Sequence, residues 1–143
     1  MDLEARTRQR LAETSQRVTT GRLRLVRAIA HIGRPATIVE LRASDPSIPL
    51  SSAYRNLQVL EDAGLVHRVI TDDAPRWELA EDFTGHHHHL ICDRCGSVTD
   101  VPLPELERAV HDALTSARVE HGFVTHAHRV DLIGWCATCQ RQA

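Results

Sequence analysis

The sequence contains no lysine: all 17 of its basic residues are arginine. That bias reads mainly as codon usage in a GC-rich genome. It also means that every cationic contact is made by a guanidinium, the group suited to bidentate phosphate and guanine contacts. No apolar run approaches the ~18 residues of a membrane span. The start, MDLEARTRQR, lacks the apolar core of a signal peptide. A cytoplasmic protein without a membrane partner is therefore expected. There is no HExxH motif, so a zinc-dependent hydrolase, with Glu81 or Glu107 as base beside an open metal position, lacks its signature. Net charge is nearly absent too, at −2 over 143 residues, and this total gives no hint of a nucleic-acid partner. What is present is an ordinary 42% of hydrophobic residues, which excludes wholesale disorder. The length suits one compact domain, or two small ones that each need outside help.

The near-neutral total averages two unlike halves. Residues 1–79 hold 12 Arg against 10 acids, net +2, and residues 80–143 hold 5 Arg against 9 acids, net −4. Between Arg6 and Arg34 there are eight Arg and one acid, Glu13. The second half holds all four Cys and eight of the ten His.

In the first half, Val18, Leu23, Leu25, Val26, Ile29 and Ala30 make an apolar stripe with helical spacing. Residues 36–42 read as a short second helix with Pro35 near its first turn. Asp45-Pro-Ser-Ile-Pro49 is a turn, after which Ser51 can cap a third helix running to about Ala63, stopped by Gly64. Leu50, Ala53, Leu57 and Leu60 share its buried stripe, while Ser52, Tyr54, Arg55 and Asn56 lie elsewhere. Residues 65–70 and 76–79 then form a strand pair around a turn at 71–75. Three helices and a hairpin describe a winged helix, whose third helix enters the major groove. Winged helices also serve as protein-interaction modules.

In the second half, Cys92-Asp-Arg-Cys95 and Cys136-Ala-Thr-Cys139 are two CxxC pairs. Together they make a tetrahedral four-cysteine set, the closed arrangement of structural zinc. His86-His-His-His89 runs directly into Leu90-Ile-Cys92. In an extended chain, side chains alternate, so His87 and His89 point one way and His86 and His88 the other. Each pair supplies half of a metal site. Residues 104–114 read as a helix burying Leu106, Val110, Ala113 and Leu114, from which Glu107 reaches a metal. Residues 123–134 alternate toward the second CxxC and offer His126 and His128, between which spacing does not choose.

Taken together, these residues resemble the ferric uptake regulator family of metal-dependent repressors. The resemblance runs from about Arg17 to Cys139. It is carried by Ser51-Ser-Ala-Tyr-Arg-Asn-Leu57 with Leu60-Glu-Asp-Ala-Gly-Leu-Val66, by His86 through Gly96, and by His121-Gly-Phe123 leading to Cys136-Ala-Thr-Cys139. It implies an α+β chain with three parts. These are a winged helix-turn-helix DNA-binding domain (1–79), a hinge (80–85) and an α/β dimerisation domain with the four-cysteine zinc site (86–143). It implies a homodimer on a palindromic double-stranded operator, contacted by Arg17, Thr19, Arg22, Ser52, Tyr54 and Arg55. Cys92, Cys95, Cys136 and Cys139 match the structural Zn(II) site. His86, His88, Glu107 and His128 match a second site, which selects His128 over His126.

The resemblance is closest to the zinc-sensing branch. Iron- and peroxide-sensing members usually place a His just before the second helix, where this chain has Arg34, which cannot ligate a cation. The zinc-sensing branch takes its first ligand just after the recognition helix, at His67. A fourteen-residue step then lands on Glu81, and His87 and His89 follow. The sensing site is therefore expected to be His67, Glu81, His87 and His89, with Glu78 the rival of Glu81. The regulatory ion is Zn(II) or another divalent transition metal, since such a set also suits Fe(II), Ni(II) or Mn(II). The other readings are a sensor of those ions or of peroxide and, outside the class, a zinc hydrolase or a zinc-stabilised protein-interaction module.

Overall fold

Asp2 accepts a hydrogen bond from the Ala5 N–H at 2.8 Å and starts α1, Leu3–Glu13. The computed structural model describes residues 2–142, and the chain divides into two units, Met1–Gly85 and His86–Ala143. Helix α1 was not expected before Arg17, although Leu3, Thr7 and Leu11 recur at helical spacing, with Thr7 and Leu11 fully buried.

The first unit continues with α2 (Thr20–Ile32), β1 (Ala36–Thr37), α3 (Ile38–Ser44), α4 (Leu50–Asp62), β2 (Val66–Val69), β3 (Arg76–Leu79) and the short α5 (Glu81–Thr84). Its core joins Leu25, Val26 and Ile29 of α2, Leu41 of α3, and Leu57 and Leu60 of α4 with Leu65, Val66 and Trp77. On α2, Gly21 leaves room for the Asn56 side chain of α4: a Cβ there would stand 3.1 Å from Asn56 Nδ2. Val18 and Leu50, expected in the buried stripes, are exposed at 38% and 50%.

Two helix starts differ from expectation. The second helix does not begin at Ala36. Thr37 and Glu40 form a capping box that starts the helix at Ile38, which frees Ala36 and Thr37 to pair with Trp77 and Arg76. The hairpin thus becomes a three-stranded sheet, in the order β1-β3-β2. Helix α4 is not capped by Ser51. Pro49 is the N-cap, and its carbonyl accepts from Ser52 and Ala53 N–H, which places Ser51 inside the first turn.

The second unit is a three-stranded sheet with β4 (His88–Cys92) at its centre. Strand β5 (Val98–Val101) lies antiparallel on one side and β6 (Asp131–Gly134) parallel on the other. The parallel pairing requires a crossover, supplied by α6. This helix runs over Pro104–His121, longer than the expected 104–114, and Gly122 ends it at φ 63°. None of its described residues is fully buried: Leu106, Val110 and Leu114 are half-buried and Ala113 is exposed, contrary to expectation. Of the segment 123–134, only the last four residues are strand. The short α7 (Ala137–Gln140) follows. No helix among the described residues is long and apolar enough to cross a membrane.

The capping box also anchors an ion pair. Glu40 accepts from Arg34 at 2.7 Å and from the buried Arg76 at 3.1 Å. Burial works to raise the Glu40 pKa, but the Thr37 N–H and the Arg34 guanidinium outweigh it and hold the group below its usual range. Thr37→Ala is expected to destabilise the first unit by about 1 kcal/mol. A lower urea midpoint at unchanged slope, followed by the fluorescence of the buried Trp77, checks this.

Candidate metal centres and nucleic-acid interface

The four cysteines come from two tight local structures. Cys92 ends β4, and the chain turns back through Gly96, whose N–H bonds the Cys92 carbonyl at 2.8 Å with φ 71°, a region that favours glycine. Cys136 is the N-cap of α7 and Cys139 lies within it. Four sulfurs held 2.3 Å from one centre stand about 3.8 Å apart in a tetrahedron. The Cys95 and Cys136 sulfurs are 3.8 Å apart, and all four ligand atoms lie within 4.8 Å of one another. All four are free thiols. The set therefore fits a structural zinc ion.

The thiols are prepared unequally. The Cys136 backbone N–H donates to Cys92 Sγ at 3.3 Å and, with other backbone donors, draws the Cys92 pKa down to about 6. Burial and the neighbouring sulfurs push Cys139 up to about 12. Arg94 bonds the Cys139 carbonyl at 2.9 Å and lies over the Trp135 ring, bringing a cation to this centre.

A second cluster gathers on Glu107 of α6. Its Oε1 accepts from His88 Nε2, from His128 Nε2 at 3.0 Å and from His86 Nε2 at 3.3 Å. Nitrogen and oxygen ligands about 2.0–2.2 Å from a shared ion stand roughly 3.4 Å apart, so this set fits a tetrahedral divalent cation. The His88 hydrogen bond is the main cause that holds Glu107 down at about 2. His126 is exposed and lies outside the cluster.

The third grouping uses the opposite face of β4. His87 Nε2 and His89 Nε2 stand 3.9 Å and 4.0 Å from the two carboxylate oxygens of Asp100 on β5. Sequence reasoning missed Asp100. The signal was available only through pairing, because the register sets Asp100 beside His89. Within the first unit, the register puts His67 and Glu78 on one rung of the β2–β3 pair, with Glu78 buried. Glu81 lies off that sheet, exposed in the first turn of α5.

The residues expected at DNA are all on the first unit. Tyr54 and Arg55 are exposed on α4, Ser52 is half-buried there, and Arg17 is exposed ahead of α2. The Tyr54 ring packs edge-on against Trp77 at 5.8 Å, which limits its orientation. Thr19 and Arg22 have structural work as well. Thr19 caps α2 by accepting from the Arg22 N–H, and Arg22 donates to the Arg17 carbonyl, shaping the entry to the helix.

A model of the family described as Ferric uptake regulator family matches residues 13–133. The chain belongs to the ferric uptake regulator family. It is 30% identical over 139 residues to the peroxide operon regulator of Bacillus subtilis, covering 92% of this chain and 90% of that protein. It is 31% identical over 115 residues to the ferric uptake regulation protein of Campylobacter jejuni, covering 78% and 69%. The fold is shared with the Helicobacter pylori ferric uptake regulator, at a TM-score of 0.79, 24% identity and coverage of 98% and 95%. The zinc-bound manganese uptake regulator is 29% identical with a TM-score of 0.61, over 91% of this chain and 98% of that one. This Fur-family chain is accordingly a metal-responsive, DNA-binding transcription regulator and not an enzyme. Regulators of the family bind DNA as dimers and bind divalent metals.

Two outcomes test the centres. Zinc added to the metal-free protein at pH 7 is expected to release at least one proton per four-cysteine site, from Cys139, measured in weak buffer. Glu107 has a depressed pKa, so its contribution to stability is complete above pH 4.5 and is lost as pH falls toward about 2. Glu107→Gln should flatten the acid limb of metal-free stability over that range, read by denaturation at stepped pH.

Proposed function

We propose that this Fur-family chain is a cytoplasmic, zinc-responsive repressor that binds a palindromic operator as a homodimer. Cys92, Cys95, Cys136 and Cys139 hold a structural Zn(II), and His86, His88, Glu107 and His128 hold a second ion. The sensing ion is bound by His87, His89 and Asp100 of the second unit with ligands from the first. Glu78 is preferred there to Glu81, because the sheet register pairs it with His67. Arg17, Thr19, Arg22, Ser52, Tyr54 and Arg55 carry the DNA contacts, with Tyr54 and Arg55 on the recognition helix.

One observation carries zinc over iron or peroxide. Arg34 stands where family members with those functions usually place an imidazole, and it is committed to an ion pair with Glu40 at 2.7 Å. A guanidinium cannot ligate a cation. The remaining imidazole and carboxylate donors suit tetrahedral Zn(II).

The regulatory logic follows from linkage. An ion that takes ligands from both units binds only those arrangements that present all of them, so it shifts the population toward them by its differential affinity. If those are also the arrangements that match two half-sites, metal and operator tighten each other by the same factor.

A second reading has its own support. The Bacillus subtilis relative is a peroxide operon regulator, and a site of two imidazoles with carboxylates also accepts Fe(II) and Mn(II). Operator binding, measured by fluorescence anisotropy at buffered free Zn(II), Mn(II) or Fe(II), separates the two. The zinc reading expects Zn(II) to raise affinity by about 5- to 150-fold. His87→Ala should abolish that gain while the four-cysteine site keeps its zinc. Activation by Fe(II) alone, with loss of binding and oxidation of a histidine on adding hydrogen peroxide, would establish the second reading instead.

A further inference from the structure

Strand β6 does more than complete the sheet. Its first residue, Asp131, pairs in register with His89, and its carboxylate reaches inward to that ring. Asp131 Oδ1 lies 3.0 Å from His89 Nδ1. An ionised carboxylate can only accept, so the ring donates its Nδ1–H to it. The lone pair is then left on Nε2, the nitrogen that stands 4.0 Å from Asp100 Oδ1. His89 is buried and Asp131 half-buried, so the ring has little freedom to turn and the bond has limited competition from water. The His87 ring packs edge-on against the same imidazole at 5.2 Å.

Asp100 does not do this for His89. It stands on the Nε2 side, with its oxygens shared between the His87 and His89 rings. Asp131 alone, among the described contacts of His89, addresses the far nitrogen. Carboxylates in this relation to an imidazole fix its tautomer and orientation and raise its basicity as a ligand.

We infer that Asp131 is a positioning residue of the third centre, holding His89 as the Nδ1–H tautomer with Nε2 presented to a divalent cation beside His87 and Asp100. This rests on the reading of His87, His89 and Asp100 as ligands. It adds a carboxylate that touches no ion, placed on the strand at the edge of the sheet.

The test uses the full chain with zinc kept in the four-cysteine site, titrated with Zn(II) against a competing chelator. His87→Ala and Asp100→Ala first identify the binding step that belongs to this centre. Asp131→Ala is expected to weaken that step by about 10- to 100-fold. Asp131→Asn retains an acceptor oxygen and should lose less. Nitrogen NMR of the protein stripped at the weaker sites should find His89 protonated on Nδ1 in the parent chain, and a shift toward the Nε2–H form in Asp131→Ala. Unchanged affinity in Asp131→Ala, or an Nε2–H tautomer in the parent chain, overturns the inference while leaving the ligand assignment standing. Equal losses in Asp131→Ala and Asp131→Asn would make Asp131 a ligand and also overturn it. If neither His87→Ala nor Asp100→Ala alters any binding step, the ligand reading itself fails. Should Asp131→Ala not fold, the tautomer in the parent chain and the affinity of Asp131→Asn still decide.

Discussion

The period-two geometry of one extended segment governs which metal-capable side chains of this protein meet. Four consecutive histidines would form a single diffuse patch on a loop. Led into β4, of which His88 and His89 are the first two residues, they alternate: His86 and His88 gather on Glu107, while His87 and His89 face Asp100. The same strand ends in Cys92, so one extended segment contributes donors to three separate groupings. A one-residue slip in its pairing would exchange the two histidine sets between faces and unmake both. The β4–β5 and β4–β6 registers are therefore as much a part of these groupings as the side chains themselves.

The first unit solves a different problem, which is to present a helix face rigidly. Leu57 and Leu60 fix α4 in the core, and Gly21 of α2 makes room for its Asn56 side chain. Trp77, from the sheet, limits the Tyr54 ring. The arginines are divided between tasks. Arg34 and Arg76 meet at Glu40, Arg22 ties down its own approach segment, and Arg17 and Arg55 stay exposed. A count of arginines in the amino-terminal half thus overstates the charge that is free to meet a polyanion.

Much of this was legible in the sequence because it depends on short-range regularities. The CxxC spacings, the alternation of the His run and the apolar stripe of α2 are all local patterns. What escaped was non-local or depended on competition between starts. Asp100 and Asp131 are unremarkable acids until strand pairing sets each beside His89. Residues Ala36 and Thr37 look helical until the Thr37–Glu40 box delays the helix and β3 recruits them. Helix α1 is signalled only by Leu3, Thr7 and Leu11, a stripe diluted by the polar and charged residues between them. The Arg34–Glu40 pair is not a helical spacing either, because the partners stand six residues apart and meet across the start of α3.

Helix α6 runs for 18 residues without a fully buried side chain among those described, and its half-buried row of Leu106, Val110 and Leu114 also carries Glu107. Within one chain, such a helix draws little of its free energy from packing, and the regulators of this family work in pairs. Glu107 is thus carried by an element with little tertiary packing, while His88, which meets it, is buried in the sheet. The second cluster joins a loosely seated carboxylate to a firmly seated imidazole, and local opening of the helix separates them before the sheet itself gives way.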